Sequence, residues 1–225
     1  MISEYDKSEK MRLFLASEEL GDHADEFRRL VGDGRKLLVI TNARDYYEPE
    51  RRVAIVAEKS AVFKANGFEP VELDLRKYFG KPEELKAYID EFDPDVIYAI
   101  GGNCFLLNTA FHLSGMDQII KDGVASNRFV YSGYSAGSMV TSKSLKYFGH
   151  DHLSADAVPG IYGVNAVIEG LGLIDEYITP HADVPKHAET TKLYADRITS
   201  GGDVPIALNQ SSVYLIDGET KTILP

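Results

Sequence analysis

Short apolar runs alternate along the chain with longer stretches in which apolar residues recur every three or four positions. The first kind spans Met11 to Ala16, Lys36 to Thr41, Pro70 to Leu75, Val96 to Ile100 and Phe129 to Ser132. Runs this short, rich in Val, Ile, Leu, Phe and Tyr and bounded by charge or glycine, predict strands buried on both faces. The second kind spans Asp25 to Val31, Glu50 to Asn66, Pro82 to Phe92 and Phe105 to Leu113. Its spacing, as in Val53, Val56, Ala57 and Ala61, predicts helices. Gly67 stands where a helix C-cap is expected, and Pro82 with Glu83 and Glu84 marks a helix start. Strand and helix in repeated alternation imply βαβ crossovers, hence an α/β fold with a mainly parallel sheet flanked by helices.

Beyond Ser132 the pattern changes. Ser144 to Gly172 is glycine-rich and weakly periodic, and reads as a loop insertion over the sheet that shapes a site. Order resumes with a strand at Tyr177 to Thr179, a helix at Val184 to Arg197, and strands at Ile206 to Leu208, Val213 to Ile216 and Thr222 to Leu224. Asp217-Gly218-Glu219 is a turn signal that makes the last two a C-terminal β-hairpin. Residues 1–10 are polar and read as an N-terminal tail, leaving 11–225 as one domain.

Charge narrows the partners. A net charge of -11 disfavours nucleic acid and anionic membranes, both of which demand clustered Lys and Arg, and points to a small molecule or short peptide. The single cysteine, Cys104, has no internal disulfide partner, and no signal-like segment opens the chain, so a cytoplasmic protein is expected. No apolar run approaches the roughly 20 residues that span a bilayer.

Gly133-Tyr134-Ser135-Ala136-Gly137 follows the last of the early strands and precedes a plausible helix. This is the nucleophile-elbow pattern: the glycines let two chain segments pass closely while the serine hydroxyl is presented at the sheet edge. The bland alternative is a structural turn. Of six histidines, His181 follows Pro180 at the carboxyl end of a predicted strand, the edge where open α/β sheets place their sites, and is the candidate base. His187 is expected on the solvent side of a helix. Oxyanion donors are expected from the amide of Ala136 and from Gly101-Gly102-Asn103, for which a phosphate loop or a plain turn is the lesser alternative. His150-Asp151-His152 lacks a third ligand at sensible spacing, so no metal and no cofactor are expected. Cys104 lies beside the glycine loop and not on the elbow, which argues against a cysteine nucleophile.

Ala99-Ile100-Gly101-Gly102-Asn103, Gly133-Tyr134-Ser135-Ala136-Gly137 and Ile178-Thr179-Pro180-His181, in that order, resemble the peptidase family of aspartyl dipeptidase (dipeptidase E) and cyanophycinase. The resemblance runs from Met11 to near the end of the chain. It implies a class I glutamine-amidotransferase-like, flavodoxin-like fold, with Ser135 as nucleophile, His181 as base, and Gly102 and Ala136, beside Gly101, as the oxyanion hole. For the residue that orients His181 it implies Asp156, in Asp156-Ala157-Val158-Pro159, with Glu169 as runner-up and Asp151 or Asp183 still open. Aspartyl dipeptidases carry an arginine after a Glu-Thr pair, where this chain has Glu189-Thr190-Thr191. Asn103, Lys192 and Arg197 are therefore the candidate substrate contacts, and a preference for N-terminal Asp is put in doubt.

The expected activity is serine-type hydrolysis of short peptides through an acyl-enzyme on Ser135. An α/β-hydrolase-type esterase and an inactive binding module on the same fold are the alternatives, and a homodimer is compatible with all three.

Overall fold

The computed structural model describes residues 11–20, 22–149 and 154–225. The predicted tail and the His150-Asp151-His152 triplet lie outside the described residues. Strands β1 (Arg12–Ala16), β2 (Lys36–Ile40), β3 (Glu69–Glu72), β4 (Val96–Ala99) and β5 (Val130–Tyr134) form where the short apolar runs lie. Next in the chain, β6 (Tyr177–Thr179) and β7 (Pro205–Ala207) make a separate parallel pair. With β8 (Val213–Asp217) and β9 (Thr220–Leu224), the first five strands form one seven-stranded sheet of order β3-β2-β4-β5-β1-β8-β9. The first five pair in parallel; β8 and β9 are antiparallel.

Leu13 and Leu15 of β1 enter one core with Leu38, Ile97 and Tyr131, while Phe14 and Ala16 enter the other with Val39, Tyr98 and Val130. Both faces of the sheet are therefore covered, which is why its central strands read as unbroken apolar runs. Helices α1 (Ala24–Val31) and α2 (Pro49–Ala65) close one face through Phe27, Leu30, Ile55 and Phe63. The other is closed by α3 (Pro82–Phe92), α4 (Cys104–Ser114) and α5 (Met116–Ala125), through Leu85, Ile89, Phe111 and Ile120. The chain then forms α6 (Ala136–Met139), α7 (Ala157–Tyr162) and α8 (Ala188–Ser200).

Several predicted elements are corrected. Helix α5 lies outside the predicted helices: Gly115 (φ 79°) separates it from α4 and Gly123 lowers its helix preference. Packing overrides that preference: a Cβ on Gly123 would meet the Phe129 ring at 2.1 Å. Strand β3 stops at Glu72, after which Asp74 caps a 3-10 turn, Leu75–Tyr78, through the Arg76 amide. Helix α8 begins at Ala188, four residues later than its pattern suggested. Strand β6 stands outside the main sheet. Among the described residues, no helix is long and apolar enough to cross a membrane.

Register brings the site together. Ala99 pairs with Gly133 and Tyr134 with Ala16, so the carboxyl ends of β4, β5 and β1 lie side by side. Because β8 is antiparallel, its amino end reaches the same edge, with Val213 opposite Ala16. β6 and β7, paired at Thr179 and Ala207, deliver the segments after them to this place. There the Ser17 amide donates to Ser212 O (3.0 Å) and the Ala182 amide to Leu208 O (2.9 Å).

Candidate active site

Ser135 sits at φ 48°, ψ -110°, a conformation costly for a residue with a side chain. The surroundings hold it there. Its amide donates to Ala16 O (3.1 Å), Ser138 Oγ donates to Ala16 O (2.7 Å) and Gly133 O (2.9 Å), and Tyr131 OH donates to Gly137 O (2.8 Å). The two glycines are needed for close approach: a Cβ on Gly133 would lie 2.7 Å from Gly137 C, and one on Gly137 would lie 2.2 Å from Ala99 O. The helix that follows, α6, is a single turn.

His181, also at positive φ (63°), places Nε2 3.1 Å from Ser135 Oγ. Its amide donates to Ser17 Oγ (2.8 Å), and Thr191 Oγ1 donates to the preceding carbonyl, Pro180 O (2.9 Å). On the other side of the ring, Nδ1 lies 2.8 Å from Gln210 Oε1 and 3.5 Å from Ser17 Oγ. An amide oxygen only accepts, so Nδ1 carries the proton and Nε2 offers its lone pair to Ser135.

Gly101 and Gly102 lie against the elbow. A Cβ on Gly101 would meet Ser135 Cβ at 3.1 Å, and Gly102 (φ 147°) has no room for one, with Ala43 O at 2.5 Å. Arg44 Nε donates to Gly101 O (2.8 Å) and Arg44 Nη2 to Tyr134 OH (3.0 Å). Across a trans peptide the Gly102 N–H must point away from the carbonyl that Arg44 holds. Burial raises the Tyr134 phenol despite Arg44 and Lys59, so it stays neutral and accepts from Arg44. Arg44 itself belongs to a 3-10 turn, Asn42–Arg44, followed by buried Asp45. Asp45 accepts from Tyr162 OH (2.6 Å) and Asn42 Nδ2 (2.7 Å) and pairs with Arg52 (3.1 Å), which ties α7 of the insertion to this turn. Burial raises the Asp45 carboxyl, against the pull of Tyr162, Asn42 and Arg52.

Ser135, His181 and Gly102 line one cleft of about 330 Å³. Its rim carries Arg44, Lys186 and His187, and no carboxylate side chain is among its described lining residues. The profile of peptidase family S51 matches residues 13–224. The chain belongs to peptidase family S51.

Two Listeria relatives, both uncharacterised peptidases, align with somewhat more than half of this S51 chain. The L. innocua protein is 31% identical over 131 residues, which are 58% of this chain and 59% of its own length. The L. monocytogenes protein is 26% identical over 128 residues, 57% of this chain and 60% of its own length. This chain thus spans about three-fifths of the relatives it matches. In structure it is similar to a candidate peptidase E from L. monocytogenes, with a TM-score of 0.74 and 22% identity over 95% of this chain and 98% of that one. A peptidase from an acI-B1 Actinobacterium gives a TM-score of 0.62 at 15% identity, covering 98% and 96%. These likenesses show the fold that the S51 sequence motifs implied.

Not every residue expected from those motifs lies at the site. Asp156 is exposed at the start of α7, where its carboxylate faces Ser154 Oγ (3.4 Å), and Glu169 is exposed in an isolated bridge with Ser144. Asp151 lies outside the described residues, and Asp183 accepts the Gln210 amide (2.7 Å). The side chain on His181 Nδ1 is Gln210, which a search for carboxylates passes over. Asn103 faces inward: its Oδ1 caps α4 through Phe105 N (2.9 Å) and Leu106 N (3.1 Å), and its Nδ2 donates to Ser154 O (3.1 Å). Lys192 pairs with Asp196 on the outer face of α8 (2.6 Å), and Arg197 lines a different groove. Among the described residues the cations lining the cleft are Arg44 and Lys186, and the ring of His187, expected on a solvent face, lies tilted with its centroid 5.1 Å from that of His181. Among the described residues no cluster of His, Cys, Asp or Glu could hold a metal ion.

Proposed function

We propose that this S51 chain is a serine peptidase that hydrolyses short peptides through an acyl-enzyme. Ser135 Oγ attacks the scissile carbonyl carbon while His181 Nε2 takes the hydroxyl proton. The oxyanion that forms is held by the amides of Gly102 and Ala136, and the imidazolium returns its proton to the leaving amine. Water, with His181 again as base, then releases the acid and frees Ser135.

The observation that carries this reading is the 3.1 Å contact between His181 Nε2 and Ser135 Oγ, made by two residues both at positive φ. Backbone strain of this kind persists where the surrounding structure enforces it and clusters at active sites. The cleft is at the small end of the range for ligand pockets, which suits a short peptide. Arg44 and Lys186, with no carboxylate among the described lining residues, suit a peptide whose own carboxylate lies close to the scissile bond.

The test is turnover of a dipeptide library together with labelling by a fluorophosphonate. Wild-type protein should form an adduct on Ser135 and release amino acids, and Ser135→Ala and His181→Ala should do neither while unfolding at the wild-type temperature. Full turnover by either variant refutes the assignment. Turnover of esters alone favours an esterase, and a folded wild-type protein that fails to label favours an inactive module.

A further inference from the structure

The group that orients His181 is neutral, and a charge stands directly behind it. Gln210 Oε1 lies 2.8 Å from His181 Nδ1, and Gln210 Nε2 lies 3.0 Å from Glu18 Oε2. We propose that Glu18 is a positioning residue for the hydrolysis, acting through the Gln210 amide to set the His181 tautomer. The proposal rests on the reading of Ser135 and His181 as nucleophile and base.

An ionised carboxylate only accepts hydrogen bonds, so the amide must turn its NH2 toward Glu18 and its oxygen toward the imidazole. Reversing the amide would set its oxygen against the carboxylate, a mismatch that neither tautomer of His181 relieves. With the oxygen on Nδ1, that nitrogen must be the protonated one, and Nε2 is left to accept the Ser135 proton. A glutamine without Glu18 behind it has no such bias. Its backbone is fixed separately, by Gln210 N donating to Asp183 Oδ1 at 2.7 Å. The fold brings the pieces together: Glu18 follows β1, His181 follows β6 and Gln210 follows β7.

The arrangement also changes the electrostatics. When His181 takes the proton, its positive charge meets an amide dipole at contact and a carboxylate only one residue further out, so the imidazolium is held less strongly than by a direct carboxylate. Other charged and titratable groups face it: Arg44, Lys186 and His187 from the cleft, and Asp183, Glu19 and Asp22 from the groove behind Gln210. Lys59 pairs with Glu19 and Glu58, which leaves Glu18 to the amide.

Exchanging the two side chains tests this. Glu18→Gln should lower kcat about tenfold with KM within about twofold, because the amide loses its fixed direction. Gln210→Glu should also be impaired, since two carboxylates would then share the contact. The double variant Glu18→Gln with Gln210→Glu restores one donor amide and one acceptor carboxylate. It should recover at least half of the wild-type kcat, with the acidic limb of the kcat/KM profile moved to higher pH, because a carboxylate now touches Nδ1–H. A purely structural role for Glu18 would not give the rescue, because the exchanged pair would restore nothing. Nitrogen NMR of 15N-histidine protein, with His181→Ala to identify the signal, provides a readout independent of turnover. Wild type should show Nδ1 protonated at neutral pH, and Glu18→Gln a mixture of tautomers. Wild-type kcat and an unchanged tautomer in Glu18→Gln overturn the proposal, as does a folded double variant no better than either single one. If Ser135→Ala remains fully active, the nucleophile assignment itself has failed; if it is dead while Glu18→Gln is unaffected, only the relay has.

Discussion

Arg44 Nε donates to the Gly101 carbonyl at 2.8 Å, and so fixes from behind the peptide whose other end is the Gly102 N–H proposed to bind the oxyanion. Arg44 is held in turn by Tyr134, the residue just before Ser135. The Gly101–Gly102 peptide and the elbow at Ser135 are therefore braced through one guanidinium. Arg44→Met should lower kcat by roughly 10- to 100-fold, the range expected when a transition-state contact is loosened or displaced. Arg44→Lys should not restore it, because a point charge on a flexible stem cannot span both partners as the planar fork does. Steady-state kinetics on the best dipeptide substrate checks this, and an unchanged kcat in Arg44→Met would show that the loop holds itself.

The elbow glycines predict a stability effect separable from chemistry. A Cβ at Gly137 would stand 2.2 Å from the Ala99 carbonyl oxygen, a backbone atom that moves only if the strand moves. Gly137→Ala should cost at least about 1–3 kcal/mol in urea unfolding. Gly160, in α7 with open space around it, is the control: Gly160→Ala should be neutral or stabilise by up to about 1 kcal/mol.

Substrate contacts should follow the cleft and not the order of charges along α8. Lys192→Ala and Arg197→Ala should leave KM and kcat within about twofold of wild type, as is usual for exposed side chains outside a site. Lys186→Ala, at the cleft rim, should raise KM several-fold while kcat changes little. Thr191→Val removes the 2.9 Å bond to Pro180 O just before His181; it should cost about 1–3 kcal/mol of stability and lower kcat. Kinetics on the four variants side by side distinguishes these outcomes.

Glu176, just before β6, accepts from Lys221 (2.8 Å) and Tyr214 OH (3.1 Å) and so ties the strand leading to His181 to the β8–β9 hairpin. Burial alone would raise its carboxyl, but the bonds from Lys221, its own backbone and Tyr214 outweigh burial and lower it. A carboxyl lowered in the folded state contributes stability above its unfolded value, near 4.3, and loses that contribution as pH falls through the lower folded value. Lys221→Met should therefore destabilise most at neutral pH, by up to about 1 kcal/mol because Lys221 is partly exposed. The difference from wild type should shrink below about pH 4. Denaturant titrations at several pH values test it, and a difference that is constant with pH would remove the pair from the account.

What the residues determined alone was whatever depends on local spacing. The apolar runs marked the central strands buried on both faces, though the run at Pro70 to Leu75 became the exposed edge strand β3, and the two glycines around Ser135 announced a tight approach that the Gly133 and Gly137 contacts show directly. Pro180-His181 at a strand end could be read in the same way. Gln210 could not. It comes from the loop between β7 and an antiparallel strand, and it reaches the sheet edge only because β8 enters in the opposite sense to its neighbour β1. Nothing in the local pattern marks that reversal as bearing on His181, and a neutral amide carries no charge to draw notice. Arg44 and Lys186 were hidden for the same reason: the path of the chain decides which cations face a cleft. Asp156 shows the converse. Its place in the sequence suited a triad, but the turn that opens α7 leaves it in solvent, while the side chain that lies against His181 Nδ1 is an amide, backed by a carboxylate just beyond β1.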